Sequence, residues 1–323
     1  MISSRDCEIP SFLHTGQLGV QEGDPRSFSC YICGSNTRPA VVQGAHTYFK
    51  CENCQSSQLN PIPSELELQE FYDRYHLSSE LGGSYDGVES RMQADFPFKA
   101  QLAQRFATGT VSGGPPRLLD VGCGKGYFLK EAMRIGMKGS GIDLSRSAVK
   151  FAGEVLGVDA HAGRIEKDAP SEWRNAFDVA TFWAAIEHLR DPLSVLQAIS
   201  LCLKPGGVLL CDTGLGAARW ESMLAGYNQW HDAPQHIFVF SRDGLLSLLD
   251  RAGFEVVKVN TNSERNLIRG VVRSIRHALV CQTSFSIFRV LLGHAGFQAM
   301  KQTAKWPIGR LILVAARKKR DGE

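Results

Sequence analysis

A glycine-rich turn within residues 117–129 constrains the fold of this chain more than any other stretch. An apolar run ends in Asp120, and Gly122, Gly124 and Gly126 follow at alternate positions before an apolar pattern with helical spacing begins. This order predicts a strand, a tight turn and a helix. Glycine allows backbone angles closed to other residues, and its missing Cβ lets a ligand approach the main chain. We therefore expect a ligand at the carboxyl end of a buried strand.

The spacing of the three glycines differs from the dinucleotide fingerprint G-x-G-x-x-G, because Tyr127 stands where the third glycine of that fingerprint belongs. Residues 140–145 predict a second strand that ends in Asp143, with Leu144 directly after it. A carboxylate at that position can accept hydrogen bonds from two ribose hydroxyl groups. A nicotinamide-binding Rossmann domain stays an alternative, since glycine-rich turns between strand and helix recur across such folds.

Several motifs in a fixed order resemble the class I S-adenosylmethionine (SAM) methyltransferases, especially the branch around the ubiquinone-biosynthesis O-methyltransferases. The motifs are Leu119-Asp-Val-Gly-Cys-Gly-Lys-Gly126, Gly141-Ile-Asp143, Phe177-Asp-Val-Ala180, Glu187-His-Leu-Arg-Asp-Pro192 and Leu203-Lys-Pro-Gly-Gly207. The resemblance, over residues 115–318, implies an α/β fold with a Rossmann-like seven-stranded sheet and helices on both faces. It also implies SAM as co-substrate, with these cofactor-binding residues: Asp120, Gly122, Gly124, Gly126, Asp143 and Leu144.

Two C-x-x-C pairs near the N-terminus predict a metal site. Cys30 and Cys33 form the first pair, and Cys51 and Cys54 form the second. Each pair lets two thiolates from one tight turn point the same way, and four sulfurs make the tetrahedral set that zinc prefers. We expect a structural zinc ion, because four cysteines leave no open coordination position. A redox pair is the alternative, but no βαβ pattern surrounds either motif.

The chain divides into four predicted segments. These are a loose arm at 1–27, a zinc ribbon at 28–62, a helical cap and linker at 63–114, and a methyltransferase domain at 115–323 with insertions at 214–240 and 262–308. In the third segment, Pro97 suits a first helical turn, and Phe98, Leu102 and Phe106 form an apolar stripe that predicts packing on the core. We expect the two insertions to form the acceptor side of the pocket.

His188, directly after the predicted fourth strand, is the candidate general base. Methyl transfer from a sulfonium is a direct displacement that depends on alignment and on exclusion of water. A hydroxyl acceptor needs a base in addition. The alternative is a histidine that only packs and hydrogen-bonds below the pocket. His231 and His236 could also face the acceptor, although a structural role is the simpler interpretation of both.

A catalytic metal is not expected from the sequence. Some ubiquinone-type relatives carry E-x-x-E-H at this point and use a divalent metal. In this chain Ala184 stands at the first glutamate position. Glu187 and His188 alone would make a poor metal site.

Composition fits a globular protein, with 43% hydrophobic and 21% charged residues. The net charge of +3 is too small to argue for nucleic acid. We see neither a membrane-spanning apolar run nor a secretion signal, so the nine cysteines indicate reduced thiols in a cytoplasmic protein. The sequence makes no prediction about the oligomeric state of the protein.

The leading hypothesis is a SAM-dependent methyltransferase of a small-molecule or sugar-linked acceptor, with a hydroxyl oxygen as the favoured target. One alternative is an RNA methyltransferase that binds through the ribbon. Against it, the ribbon is poor in Lys and Arg and the next segment carries Glu65, Glu67 and Glu70. The other is a catalytically inactive SAM-binding protein, which the intact Asp120 and Asp143 disfavour.

Overall fold

The computed structural model describes residues 28–68, 70–71, 85–107, 114–216, 230–261 and 311–319, with side chains in the first helix from residue 93 onwards. The predicted arm at 1–27 and the predicted insertion at 262–308 lie outside the described residues. So does the middle of the insertion at 214–240. Within the described part, no helix is long and apolar enough to cross a membrane.

A seven-stranded sheet forms the centre of the molecule, in the order β10-β11-β8-β7-β4-β5-β6. Its strands are β4 (Arg117–Val121), β5 (Lys138–Asp143), β6 (Asp159–Ala162), β7 (Phe177–Trp183), β8 (Leu203–Gly214), β10 (Phe254–Thr261) and β11 (Leu311–Lys318). Neighbours from β6 to β8 run parallel, whereas β11 is antiparallel to both β8 and β10. Every residue of β7 is buried, which explains its almost continuous apolar sequence.

Helices cover both faces of this sheet. They are α1 (Tyr85–Ala107), α2 (Tyr127–Arg134), α3 (Arg146–Glu154), α4 (Ile165–Asp168), α5 (Pro192–Cys202) and α6 (Arg242–Arg251). Successive residues of a strand point to opposite faces. Leu118 accordingly belongs to the core that contains residues of α1, α2 and α3, whereas Leu119 belongs to the core that contains residues of α5 and α6. The predicted fold class is confirmed.

The helix α1 corrects the sequence analysis. It begins at Tyr85, so Pro97 lies inside it and not in its first turn. In the predicted stripe, Leu102 and Phe106 are partly buried and pack against the core, whereas Phe98 is 62% exposed. The buried face consists of Ala100, Ala103 and Ala107, which are fully buried. Small side chains let the helix axis approach its neighbours closely, and an apolar stripe read by residue size alone misses this face.

The N-terminal cysteine segment is part of a second, four-stranded sheet. Its order is β1-β2-β3-β9, with β1 (Thr37–Gln43), β2 (His46–Cys51), β3 (Ser57–Leu59) and β9 (Phe238–Val239). The last strand comes from the predicted insertion at 214–240, and Gln58 pairs with Phe238 in it. The cysteine ribbon and the methyltransferase-like segment therefore share one sheet, although 178 residues separate the ends of the two paired strands (59 to 238, exclusive).

Candidate functional site

The glycine-rich turn joins β4 to α2, as predicted from the sequence. Gly122, Gly124 and Gly126 have φ angles of 72°, 51° and 79°, all in the left-handed region that favours glycine. The backbone N–H of Gly122 donates to the carbonyl of Ile142 in β5, at 2.8 Å. The turn thus lies where the chain, after β6, crosses back to the other side of β4, a position at which open α/β sheets bind ligands.

Asp143 braces this turn. One of its carboxylate oxygens accepts a hydrogen bond from the N–H of Gly124 at 2.8 Å, and the other accepts from the N–H of Ser145 at 2.8 Å. Each oxygen keeps a second lone pair, so the carboxylate can still accept hydrogen bonds from ribose hydroxyl groups. Leu144, beside it, is 66% exposed. The side chain of Asp143 therefore fixes the loop, and its role in binding the cofactor stays a prediction.

Asp120 lies beneath the turn, with only 2% of its surface exposed. Its carboxylate accepts a hydrogen bond from the hydroxyl of Thr181 at 2.7 Å. Burial, together with the nearby charge of Asp143, raises the pKa of Asp120 to about 7, although the hydrogen bond from Thr181 acts in the opposite direction. The two acidic residues that the sequence treats alike thus have different environments.

Two glycine substitutions should separate binding from packing in this turn. A Cβ at Gly126 would lie 2.7 Å from Val158 Cγ2 and 3.0 Å from Ala152 Cβ, whereas a Cβ at Gly124 would meet nothing within 4 Å. Both Gly→Ala variants bear backbone strain of about 1 kcal/mol. We expect G126A to lose a further ~1–3 kcal/mol of stability through overpacking. We expect G124A to stay folded but to bind SAM at least about tenfold more weakly.

Thermal unfolding and calorimetry with SAM measure the two effects independently. If G124A binds SAM as tightly as the wild type, the prediction that SAM binds at this loop is wrong. A G126A variant as stable as G124A would contradict the packing argument.

His188 lies just past the carboxyl end of β7, in a 3-10 turn formed by Ile186–His188. Its ring Nδ1 donates to the carbonyl of Gln235 at 2.9 Å, and its ring centroid lies 4.8 Å from that of His236. The Nδ1 of His236 in turn donates to the carbonyl of Trp230 at 2.8 Å. The sequence treats the segment around His188 and the segment 230–241 as separate constellations, and the structure joins them into one histidine pair.

Burial, and secondly the proximity of His236, lower the pKa of His188 to about 3. Hydrogen bonds to the carbonyl groups of Gln235 and Ala184 act in the opposite direction, since they favour the protonated ring. The imidazole is therefore neutral at neutral pH, and in this structure it is a weaker base than a free imidazole. His231, the third histidine considered, is buried against the ring of Tyr48, with 4.6 Å between the ring centroids.

Comparison with known proteins identifies the family. A methyltransferase-domain family model matches residues 91–259, more than half of the chain. This chain belongs to the methyltransferase-domain family. It is a SAM-dependent methyltransferase, as the resemblance in sequence implied.

Two curated relatives are ubiquinone biosynthesis O-methyltransferases. The ubiquinone biosynthesis O-methyltransferase of Albidiferax ferrireducens is 27% identical over 237 residues, which are 71% of this methyltransferase and 84% of the relative. That of Xanthomonas campestris pv. campestris is 36% identical over 166 residues, 50% of this chain and 65% of the relative. Among solved structures, the cyclase SpnF shares 25% identity, with 68% of this chain and 81% of that chain covered at a TM-score of 0.46.

Glu187 joins the histidine pair of the methyltransferase. It is buried, and one of its carboxylate oxygens accepts from the hydroxyl of Thr213 at 2.9 Å. Ligand atoms of Glu187, His188 and His236 lie within 4.8 Å of one another. The sequence analysis expected no catalytic metal because it took Glu187 and His188 as the only two donors. The structure adds a third donor to them, of a type that divalent transition metals accept.

The four ribbon cysteines form a second donor cluster. Their sulfur atoms lie within 4.8 Å of one another, with 3.7 Å between Cys30 and Cys54 and 3.4 Å between Cys33 and Cys51. A tetrahedral zinc site with Zn–S bonds of about 2.3 Å requires sulfur–sulfur distances of about 3.8 Å. All four are free thiols. Residue types and spacing therefore fit zinc without rearrangement.

A lysine of α1 contacts the carboxyl ends of β7 and β8 and was missed by sequence reasoning. Lys99 Nζ lies 2.7 Å from a carboxylate oxygen of Asp212, near the end of β8, and 4.5 Å from the ring centroid of Trp183. The other carboxylate oxygen of Asp212 accepts from the N–H of Ala184, at 2.8 Å. This contact holds α1 over the carboxyl end of β7. No periodic pattern in the sequence marks Lys99.

Proposed function

We propose that this methyltransferase transfers the methyl group of SAM to a hydroxyl oxygen of a small-molecule acceptor, with His188 as general base. The observation that carries the proposal is the histidine pair at the end of β7. That strand pairs with β4, which leads into the glycine-rich turn. Carboxyl ends of neighbouring parallel strands meet at one edge of the sheet, so the base and the turn lie at the same edge, where open α/β sheets bind ligands. The names of the curated relatives support oxygen as the methylated atom.

SAM supplies an activated methyl group whose transfer to oxygen is a direct displacement. We propose that it is held by Asp120, Gly122, Gly124, Gly126, Asp143 and Leu144. His188 donates its Nδ1 proton to the carbonyl of Gln235, which in the neutral ring leaves the lone pair on Nε2. That nitrogen accepts the proton that the acceptor hydroxyl loses as the new C–O bond forms and the C–S bond breaks.

We further propose a structural zinc ion at Cys30, Cys33, Cys51 and Cys54. Its role is to hold the two cysteine turns together, since a four-thiolate site has no open position for substrate. A cytoplasmic location is also part of the proposal. The seven cysteines in the described part of the chain are all free thiols, as expected in a reducing compartment.

The RNA-binding alternative receives no support from the ribbon. Its first cysteine turn packs against the methyltransferase core, with Ile32 fully buried. The guanidinium group of Arg251 donates to the carbonyl groups of Tyr31 and Ile32 in that turn. The first cysteine turn is therefore in contact with the rest of the protein. In a nucleic-acid-binding module we would expect such a turn to be exposed and available to phosphate groups.

Transfer of labelled methyl from SAM tests the proposed reaction. The purified chain is incubated with labelled SAM and a panel of hydroxyl-bearing small molecules, amines and total RNA. We expect label in an alkali-stable O-methyl product from the hydroxyl arm. Label in RNA, or only in amines, would overturn the assignment. SAM binding without transfer to any member of a broad panel would favour the inactive alternative.

A further inference from the structure

We propose that the cysteine ribbon positions the histidine pair, and that Tyr48 is the residue through which it does so. This inference rests on the proposed role of His188 as the base. It assigns the N-terminal module a part in the reaction, because the module holds the segment 231–237. The ring of His188 is hydrogen-bonded to this segment, and His236 is part of it.

Two consecutive carbonyl groups connect the ribbon to the base. The carbonyl of Gln235 accepts from His188 Nδ1 at 2.9 Å, and the carbonyl of His236 accepts from the hydroxyl of Tyr48 at 2.5 Å. One peptide unit therefore separates the group that orients His188 from the group that Tyr48 holds. The two carbonyl groups belong to adjacent planar peptide units, so only the φ and ψ angles of His236 lie between them. The hydrogen bonds on both sides of His236 restrict these two angles, and a shift at the carbonyl of His236 therefore moves the carbonyl of Gln235.

Tyr48 is built for this contact. It lies in β2 and is fully buried. Its hydroxyl also accepts a hydrogen bond from the backbone N–H of Asp232 at 3.1 Å. The hydroxyl oxygen of Tyr48 thus hydrogen-bonds near both ends of the segment 231–237 and holds the two ends close together.

Other ribbon groups bond the same segment. The side-chain amide of Gln43 donates to the carbonyl of His231 at 2.7 Å and accepts from the N–H of Ala233 at 3.1 Å. The N–H of Leu59 donates to the carbonyl of Ile237 at 2.9 Å. Ribbon donors and acceptors therefore hold the backbone at five positions between residues 231 and 237.

The segment also reaches the base from its other side. The N–H of Ile237 donates to the carbonyl of Glu187 at 2.8 Å, directly before His188 in the chain. His236, whose ring is oriented by the carbonyl of Trp230, belongs to the segment itself. Because the ribbon fixes this backbone, it fixes the distance between the two rings.

The test is a matched pair of Tyr→Phe variants. Y48F keeps the buried ring and loses both hydrogen bonds to the histidine segment. Y31F serves as control, because the Tyr31 hydroxyl joins the ribbon to Asp191 and to the N–H of Leu193 at the start of α5. We expect Y48F to lower kcat about tenfold with an unchanged affinity for SAM, the size of effect that one or two lost hydrogen bonds produce. We expect Y31F to retain a kcat close to that of the wild type.

A double variant separates positioning from general destabilisation. If Tyr48 acts through the histidine pair, Y48F lowers kcat no further in the presence of H188A, because effects within one network are not additive. Equal losses in Y48F and Y31F, a wild-type kcat for Y48F, or additive losses in the double variant would each overturn the inference. Failure of the base role itself appears separately, as near-normal turnover of H188A alone.

Zinc content and thermal unfolding of Y48F show whether the ribbon stays folded. Should Y48F lose its metal, the Q43M variant replaces it in the same design. Gln43 contacts the segment at His231 and Ala233 and lies at the end of β1, outside the cysteine cluster. A lower kcat for Q43M that disappears in the H188A background supports positioning, and an unchanged kcat contradicts it.

Discussion

Replacing His188 by alanine should lower kcat by about 10²- to 10⁴-fold, the contribution expected of a positioned general base. The affinity for SAM should not change, because Asp143 and the glycine-rich turn belong to β5 and to the loop after β4. Methyl-transfer kinetics give kcat, and calorimetry gives the SAM affinity. A loss in both quantities would indicate a structural role for the imidazole.

A second histidine provides the control for this substitution. His161 lies in β6, where its ring contacts Trp173 and its Nε2 lies 3.2 Å from a carboxylate oxygen of Asp159. We expect H161A to keep kcat within about twofold of the wild type, since its ring is remote from the proposed base in the sheet order. Near-normal turnover of H188A would reject the base role.

The pH profile gives an independent check on His188. The pKa of His188 in the folded protein is lowered to about 3. Well above pH 6.5 its ring is neutral in the folded and in the unfolded protein, and at pH 5 it is still neutral in the folded protein. The fraction of enzyme with a competent base therefore changes little between pH 5 and 8. We expect a plot of kcat/KM against pH for the wild type to show no inflection near pH 6.5 that can be assigned to His188 by its loss in H188A. Such an inflection would mean that the ring titrates normally.

Replacing Cys51 by serine should remove zinc from the ribbon and abolish most of the methyl-transfer activity. The wild type should contain about one zinc ion per chain, and the variant close to none. Binding free energy of a structural zinc site is folding free energy, about 10–16 kcal/mol in isolated zinc-finger peptides. Loss of the ion should therefore unfold the ribbon, release residues 231–239 and lower kcat by more than about tenfold.

Another cysteine separates zinc loss from loss of a thiol. Cys202 is buried at the end of α5, and burial raises the pKa of its thiol to about 11. The C202S variant should keep its zinc and its activity. A C51S variant with full zinc content would contradict the four-thiolate site. Two zinc ions per wild-type chain would assign the second to Glu187, His188 and His236 and would contradict the expectation of no catalytic metal.

Much of the fold follows from local sequence patterns. The glycines of the turn are required by left-handed backbone angles, and Asp143 ends its strand where the pattern indicates. The two C-x-x-C turns bring their sulfurs together as their spacing predicts. In each case the signal lies within a few residues, because one turn or one strand end creates the requirement.

Where the pattern failed, the environment of an element decided its geometry. The stripe has helical spacing, and its Leu102 and Phe106 pack against the core as predicted. The fully buried positions of the helix are nevertheless Ala100 and Ala103, and Phe98 is exposed. Periodicity marks two candidate faces in such a helix, and the space available above α2 and β7 selects the face with small side chains.

The sequence by itself determined the chemistry of single segments: a turn that admits a cofactor, four thiolates for a metal, and a histidine after the fourth strand of the sheet. Only the tertiary structure decided which of these segments act together. Tyr48 and His236 are 188 residues apart, as are Gln43 and His231. Hydrogen bonds across such a separation leave no spacing or periodicity in the sequence, because they depend on how the whole fold brings the two segments together. That is why the ribbon reads as a separate module in the sequence and as a support for the histidine pair in the structure.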